Sequence, residues 1–192
     1  PITVSDSAGF VLDENGIDTE KLAFIMDLKN GKQGRIHEYC DRYKGAKYYE
    51  NVRPWGVPAD FAFPCATQNE IHAEDAKQLV ANRCLGVAEG ANMPSTPEAI
   101  QIFMENDVLF GPAKAANAGG VATSALEMSQ NSQRMAWTRE DVDARLNHIM
   151  SDIYKNSSLA AERVGKKGNL LVGANIAGFL KVANAMIAQG VV

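Results

Sequence analysis

Residues 84–98, CLGVAEGANMPSTPE, contain a strand, a loop and the start of a helix in immediate succession. The apolar run Cys84–Ala88 is typical of a short buried strand, and Glu89–Asn92 form the loop after it. Ser95–Glu98 predicts a helix start, because it has capping-box spacing and a proline in the first turn. The stretch therefore predicts one strand–loop–helix unit.

The same alternation extends to both sides of this stretch. We predict further short strands at residues 2–4, 60–63 and 108–111, and helices at 71–82 and from 95 to about 106. Between residues 5 and 58 the pattern predicts a helix capped by Asp18 or Thr19 and ended by Gly31, a polar helix at 37–43, and a loop with a short strand. Strands that alternate with helices of this length indicate βαβ crossovers and a mostly parallel sheet.

Beyond Gly111 the pattern predicts helices only. One begins near Gly119, a second begins at Thr138, and the last carries an apolar stripe before Gly190. The second is expected to bury Val142, Leu146, Ile149, Met150 and Ile153, and residues 155–168 are expected to be a frayed end and a loop. The predicted class is α/β, a doubly wound sheet with C-terminal helices.

Composition excludes several kinds of partner. A net charge of −4 gives no sign of a nucleic-acid partner. We find no apolar run of membrane-spanning length and no signal-peptide pattern at the N-terminus, so we expect a cytoplasmic protein without a membrane partner. The three cysteines, Cys40, Cys65 and Cys84, have spacings that match no metal or disulfide framework, and we expect free thiols and no metal site.

Asp6 follows the first predicted strand, where dinucleotide-binding folds place an acidic residue beneath the adenosine ribose. That residue normally lies about 20 positions beyond a glycine-rich phosphate loop. Only five residues precede Asp6, and no G-x-G occurs in the chain. Either Asp6 is a plain turn residue, or the first strand, phosphate loop and first helix lie upstream of Pro1.

Six dense motifs occur along the chain: VSDSAG (4–9), PCATQNE (64–70), AEGANMP (88–94), AANAGGVATS (115–124), VDARL (142–146) and GANIAGF (173–179). Together they resemble the hexameric, mainly NADP-linked glutamate dehydrogenases, over essentially the whole chain. The resemblance implies a truncated Rossmann-like doubly wound sheet, with residues 1–111 a partial dinucleotide-binding domain and residues 112–192 a helical segment completing its cleft. It also implies the cofactor-binding part of an enzyme that oxidatively deaminates L-glutamate, reversibly, to 2-oxoglutarate and ammonia.

The resemblance places a set of residues along the cofactor side of the cleft, in the loops after successive strands. These residues are Ala66, Thr67, Gln68, Asn92 and Asn117. An asparagine amide both donates and accepts, so Asn92 and Asn117 are candidates for a ribose or the nicotinamide carboxamide. Taken singly, each would more often be a turn former.

Val121 and Ser124 are three residues apart near the start of a predicted helix, so they share a face. The resemblance implies that Val121 contacts the substrate methylenes and that Ser124 contacts the distal carboxylate. A hydroxyl near a helix N-terminus is a good anion partner. The plain alternative for Ser124 is a hydroxyl bonded back to a helical carbonyl.

Two arguments about the cofactor conflict. Asp6 alone favours NAD, because a carboxylate accepts from the ribose 2′-hydroxyl and repels a 2′-phosphate. NADP-linked members share the same Ser-Asp-Ser stretch, and Ser7, Lys29 and Arg35 match the positions that hold the phosphate there. A lysine at a helix C-terminus also has a plain role, complementing the dipole. We favour NADP, with NAD as the alternative.

The resemblance places the catalytic lysines and aspartate in a separate N-terminal domain, so no catalytic residue is assigned in this chain. The fragment alone is therefore predicted to be inactive, and the intact enzyme is expected to be a hexamer. Two other functions stay open. Another amino-acid dehydrogenase is disfavoured by the polar Ser124, and a non-catalytic nucleotide-binding module would fit the lack of a catalytic acid or base.

Overall fold

The computed structural model describes residues 1–190 and divides into two compact units, Pro1–Pro58 and Ala59–Val192. The boundary expected between residues 111 and 112 falls inside the second unit. The helices after Gly111 belong to the same unit as the parallel strands. Helix α8 (Leu170–Gln189) contacts both strand β6 (Leu109–Gly111) and helix α7 (Arg139–Arg163).

The first unit is built on a three-stranded antiparallel sheet. Strand β1 (Thr3–Asp6) pairs with β2 (Gly9–Leu12), which pairs with β3 (Lys47–Glu50). Asp6 faces Gly9 across the register, so Ser7 and Ala8 alone form the hairpin turn. Strand β2 was not predicted, and the mostly parallel sheet expected from the sequence does not extend to this unit. Gly9 hid the strand because glycine is typical of turns, but the backbone of Tyr49 approaches it so closely that a Cβ would lie 2.2 Å from the carbonyl oxygen.

Short helical segments cover this sheet. Helix α1 (Thr19–Met26) begins where Asp18 accepts from the Lys21 backbone N–H at 2.9 Å, and it runs into a π-helical turn at Asp27–Gly31. A 3₁₀ turn (Ile36–Glu38) leads into α2 (Tyr39–Arg42), and another 3₁₀ turn lies at Pro54–Gly56. The cap at Asp18 and the polar helix near 37–43 were predicted. The core of the unit consists of Val11, Ile17, Ile25, Ile36, Tyr39 and Ala46.

The second unit contains the predicted parallel sheet. Strands β4 (Phe61–Ala62), β5 (Gly86–Ala88) and β6 lie side by side in sequence order. The crossover helices are α3 (Ala73–Ala81) and α4 (Pro97–Glu105). The cap of α4 is Thr96, which accepts from the Ala99 N–H at 3.3 Å, and not the predicted Ser95. Ser95 is instead buried and forms an isolated parallel β-bridge with Ile71.

Four helices follow the sheet. They are α5 (Ala113–Ala116), α6 (Ala118–Gln133), α7 and α8. Helix α7 begins at Thr138 as predicted, with a capping box to Asp141, but it continues to Arg163 where a frayed end was expected. Its fully buried residues are Ser157, Ala160 and Ala161, while the five apolar residues expected to be buried are only half-buried. The small residues are buried because Gly173 of α8 packs directly against the Ser157 backbone.

Helix α8 corrects a further expectation. It has 20 residues and a mean hydropathy of 1.6, and by length and composition alone it could cross a membrane. Only 6% of its most apolar window is buried. The segment does not form one uninterrupted apolar run in the sequence, because Asn175, Lys181 and Asn184 divide it.

Candidate functional site

A polar cleft opens at the carboxyl ends of β4, β5 and β6 and encloses about 660 Å³. This is the edge of an open parallel sheet at which α/β proteins bind ligands. Its lining residues are Ala66, Thr67, Gln68, Gly90, Ala91, Asn92, Asn117, Gly120 and Val121. Every residue predicted for the nicotinamide side of the cofactor is in this set. None of the nine carries a charge, so the cleft suits a neutral polar group better than a phosphate.

Backbone hydrogen bonds join the loop after β4 to the loop after β5. The N–H groups of Gly90 and Ala91 donate to the Pro64 carbonyl at 3.0 and 3.1 Å, and Asn69 N–H donates to Met93 O at 3.0 Å. A Cβ on Gly90 would lie 2.5 Å from the Cys65 Sγ, so a larger residue there would force the Cys65 side chain to move. The loops therefore present Thr67, Gln68 and Asn92 in one cleft.

The side chains of Asn92 and Asn117 form a hydrogen-bonded pair. Asn117 Nδ2 donates to Asn92 Oδ1 at 2.7 Å and to the Ala91 carbonyl at 3.1 Å. A carbonyl can only accept, so the nitrogen of the Asn117 amide must face Ala91, and Asn92 must then present its oxygen to Asn117. Within residues 1–190 this leaves Asn92 Nδ2 as an unused donor and Asn117 Oδ1 as an unused acceptor.

Val121 and Ser124 lie on α6, which begins at Ala118. Val121 lines the cleft and is 71% exposed, whereas Ser124 is exposed one turn further along and outside the lining. The argument from the helix N-terminus fails for Ser124, because unpaired N–H groups belong to the first four residues and the dipole effect fades within the first turn. The plain alternative fails as well, since Thr123 and Ser129 bond back to helical carbonyls, whereas Ser124 has no partner within the described chain.

Asp6, Ser7, Lys29 and Arg35 come together in the first unit. Asp6 Oδ1 accepts from Ala8 N–H at 2.9 Å, and Asp6 Oδ2 accepts from Ile36 N–H and from Lys29 Nζ, both at 3.1 Å. Burial alone would raise the pKa of Asp6, but the two backbone bonds and Lys29 outweigh it and lower the pKa. The carboxylate therefore stabilises the hairpin turn and has little capacity left for a ribose hydroxyl.

Ser7 and Arg35 remain exposed beside that turn. Arg35 Nη1 donates to Ser7 Oγ at 3.0 Å, so the Ser7 hydroxyl hydrogen is available to another acceptor. No carboxylate pairs with the Arg35 guanidinium within residues 1–190. Lys29 is more occupied, since its ammonium also donates to the Gly34 carbonyl at 3.0 Å. The free positive charge of the cluster thus belongs to Arg35.

Glu70 closes the loop that follows β4. Its Oε1 accepts from the Ala66 N–H at 3.3 Å. Burial raises the pKa of the Glu70 carboxyl, and the N–H groups of Ala66 and Thr67 offset only part of that rise. Glu70 was not predicted from the sequence to support this loop. Three residues that line the cleft, Gly90, Ala91 and Gly120, were not predicted either, although all three lie inside the quoted motifs.

The described residues contain no group of three or more histidine, cysteine, aspartate or glutamate side chains that could hold a metal ion. Cys40, Cys65 and Cys84 are free thiols, as predicted. Burial raises the pKa of all three, so their thiolate forms are disfavoured.

The chain is similar to known proteins along its whole length. It is 56% identical over 191 residues to the NAD(P)-specific glutamate dehydrogenase of Xylanibacter ruminicola, covering 100% of this chain and 43% of that protein. It is 56% identical to the NADP-specific glutamate dehydrogenase of Haemophilus influenzae, covering 99% of this chain and 42% of the relative. A crystal structure of Plasmodium falciparum glutamate dehydrogenase superimposes with a TM-score of 0.96 at 53% identity, over 100% of this chain and 41% of that one.

The chain thus spans about two fifths of the length of the relatives it matches. The family model described as Glutamate/Leucine/Phenylalanine/Valine dehydrogenase matches residues 1–190. Together with the polar cleft at the carboxyl ends of a parallel sheet, this match assigns the chain to the Glutamate/Leucine/Phenylalanine/Valine dehydrogenase family.

Proposed function

We propose that this chain is the cofactor-binding part of an NADP-linked glutamate dehydrogenase, which converts L-glutamate, water and NADP⁺ reversibly to 2-oxoglutarate, ammonia, NADPH and a proton. The observation that carries the proposal is the uncharged cleft around the Asn92–Asn117 pair. Its support comes from the sequence motifs and from relatives whose names specify glutamate. The catalytic acid and base of the reaction belong to the part of the enzyme outside this chain.

The Asn92–Asn117 pair supplies the complement of a primary amide. A nicotinamide carboxamide has one carbonyl acceptor and one NH₂ donor. The free Asn92 Nδ2 is placed to donate to the first, and the free Asn117 Oδ1 is placed to accept from the second. Ala66, Thr67 and Gln68 form the neighbouring wall, where short side chains allow the backbone to approach the ring.

Ser7 and Arg35 are the proposed partners of the ribose 2′-phosphate. An exposed guanidinium without a carboxylate partner is a good phosphate ligand. We assign Lys29 a supporting share and Asp6 the role of holding the turn, because Asp6 is engaged by two backbone N–H groups and by Lys29. The cofactor preference proposed is NADP, with use of NAD as the alternative.

The experiment that tests the function is steady-state kinetics of the full-length protein containing this chain. We expect glutamate to give a far higher kcat/KM than leucine, phenylalanine or valine, and NADP⁺ a higher one than NAD⁺. A preference for a branched or aromatic amino acid would overturn the assigned substrate. A clear preference for NAD⁺ would remove Ser7, Lys29 and Arg35 from a phosphate site.

Chain 1–192 alone is expected to be inactive, and it should bind NADPH weakly at best. Val121, the proposed substrate contact, is 71% exposed in this chain, so the proposed substrate site is open to water. Isothermal calorimetry checks this expectation, and tight NADPH binding by residues 1–192 would contradict it.

We also propose that the intact enzyme is a cytoplasmic hexamer without a membrane or nucleic-acid partner. Support comes from the family resemblance and from the net negative charge of the chain. Light scattering of the full-length protein and fractionation of cells check both points. Recovery of the protein in a salt-washed membrane pellet would contradict the proposed cytoplasmic location, and α8 would then be the candidate membrane segment.

A further inference from the structure

Glu89 is a buried carboxylate immediately after β5, and it faces no cation. It is 3% exposed, and no lysine or arginine pairs with it within residues 1–190. Its Oε1 accepts from the Ser95 N–H at 3.1 Å, and its Oε2 accepts from the Ala113 N–H at 2.7 Å. Backbone N–H groups therefore satisfy both oxygens of this buried side chain.

The two donors lie at the bases of the two segments that carry the asparagine pair. Ala113 is the first residue of α5, whose C-cap is Asn117. Ser95 ends the loop that carries Asn92, and between them Met93 adopts a left-handed backbone with φ of 49°. Such a conformation persists in a non-glycine residue only when its surroundings hold it. The Glu89 side chain is thus hydrogen-bonded to both of the segments that carry Asn92 and Asn117.

Both oxygens of the side chain are needed for this bridge. A carboxylate offers an acceptor at each end, whereas an amide of the same shape offers one acceptor and one donor. The amide nitrogen would face either the Ser95 or the Ala113 N–H, donor against donor. The hydroxyl of Ser95, which is also buried, has no partner in the described chain.

We propose that Glu89 is a positioning residue for cofactor binding, acting through its two side-chain oxygens to set the spacing of Asn92 and Asn117. This inference rests on the proposed function of the cleft. Glu89 does not line the cleft itself, so its effect on the cofactor must pass through the loops that it holds.

The first test is Glu89→Gln in the full-length enzyme. We expect kcat/KM for NADP⁺ to fall about tenfold, the effect of one unsatisfied buried donor, while KM for glutamate changes little.

The matched control is Asp75→Asn. Asp75 is also buried in the second unit and accepts from the His72 N–H at 2.8 Å, but it lies at the start of α3 and not beneath the cleft. The control should lower Tm without changing KM for NADP⁺. Equal effects of both variants on KM would reduce Glu89 to a structural role and overturn the proposal.

The second test is a double-mutant cycle with Asn117→Ala. If Glu89 acts through the asparagine pair, Glu89→Gln should cost about tenfold in the natural background and less than about twofold once Asn117 is gone. Full additivity of the two losses would overturn the proposal.

A backbone variant keeps the proposal testable if Glu89→Gln fails to fold. Ala113→Pro deletes the N–H that donates to Oε2, and proline is well tolerated at the first position of a helix. It should reproduce the loss in kcat/KM for NADP⁺. A folded Ala113→Pro enzyme with unchanged kinetics for NADP⁺ would overturn the proposal.

An NMR measurement separates this inference from the proposed function. In chain 1–192 the Asn117 side-chain amide should give two well-separated proton signals, because both hydrogens are held. Glu89→Gln should move them toward the values of an exposed asparagine. Unchanged signals would overturn the positioning role even if the enzyme oxidises glutamate. Shifted signals would support it even if the full-length enzyme oxidises another substrate, in which case only the proposed function fails.

Discussion

Asp13 lies in the core of the first unit with 2% of its surface exposed. Its Oδ2 accepts from Lys21 Nζ at 2.8 Å and from the Tyr39 hydroxyl at 2.7 Å. Burial alone would raise the pKa of Asp13, but the bonds from Lys21, Tyr39 and the Asn15 backbone outweigh it and lower the pKa. A lowered pKa in the folded state means that Asp13 adds stability above its unfolded pKa. This stability is lost as the pH falls through the folded pKa.

Replacing Tyr39 by phenylalanine removes one of these donors. We expect the free energy of unfolding at neutral pH to fall by about 1–3 kcal/mol, because a buried carboxylate loses a hydrogen bond. The pKa of Asp13 should rise, so acid should destabilise the variant from a higher pH than the parent. Urea unfolding between pH 3 and 7 measures both effects. Tyr49→Phe is the control, since the Tyr49 ring stacks on Phe10 and stays partly exposed. Equal losses for the two variants would contradict the assigned role of the Tyr39 hydroxyl.

Removing the Ser124 hydroxyl tests the proposed substrate. If Ser124 contacts the distal carboxylate of the substrate, as the family resemblance implies, Ser124→Val in the full-length enzyme should lower kcat/KM for glutamate at least about tenfold. Ser129→Ala is the control, since its hydroxyl is bonded to the Ala125 carbonyl at 2.9 Å. Unchanged kinetics for Ser124→Val would remove this residue from the site.

At the scale of elements, the contact between α7 and α8 depends on one glycine. Gly173 is buried, and a Cβ there would lie 2.0 Å from the Ser157 carbonyl oxygen and 3.1 Å from the Ala161 Cβ. A backbone atom cannot move aside as a side chain can. The two helices therefore pack closely through small residues and leave most of their large apolar residues half-buried or exposed.

Gly173→Ala should consequently destabilise the second unit by about 1–3 kcal/mol through overpacking. Gly178 provides the matched control on the same helix, because a Cβ there would have no neighbour within 4 Å. Gly178→Ala should be neutral or stabilise by up to about 1 kcal/mol, since alanine is the better helix former. Thermal unfolding of chain 1–192 compares the two. A stabilised Gly173→Ala variant would mean that the helices are not packed this closely.

At the scale of the whole molecule, the two units differ in how acid affects them. The partly or fully buried carboxylates with lowered pKa, Asp6 and Asp13, both lie in the first unit. In the second unit burial raises the pKa of Glu70, which favours the folded state at low pH and opposes it as the pH rises through the folded pKa. Glu98 also has a lowered pKa, through hydrogen bonds at the start of α4, but it is exposed and contributes little.

We therefore expect the first unit to unfold at a higher pH than the second when chain 1–192 is acidified. Each unit has one tryptophan, Trp55 in the first and Trp137 in the second. Trp137→Phe leaves Trp55 as the probe of the first unit, and Trp55→Phe leaves Trp137 as the probe of the second. Fluorescence during titration from pH 7 to pH 2 reports each transition. Coincident transitions, or an earlier change at Trp137, would contradict this expectation.

Local sequence patterns were enough to predict the parallel βαβ part of the fold and most residues of the cleft. Short apolar runs ending in loops place Thr67, Gln68, Asn92 and Asn117 at one edge of a sheet, because parallel strands share the direction of their carboxyl ends. The cap at Asp18 and the capping box at Thr138 were equally local and were confirmed. The motifs also identified the family, since they recur along the whole chain.

Strand β2, the role of Asp6 and the orientation of the asparagine pair could not be predicted from the sequence, because they depend on contacts between residues distant in sequence. Strand β2 was hidden by Gly9, whose role becomes visible only when Tyr49 packs against it. Asp6 was a candidate ribose ligand until Ile36 and Lys29, 30 and 23 residues away, were found to occupy its carboxylate. The donor and acceptor that face the cleft are likewise set by Asn117 reaching back 26 residues to Ala91, a choice that neither loop specifies alone.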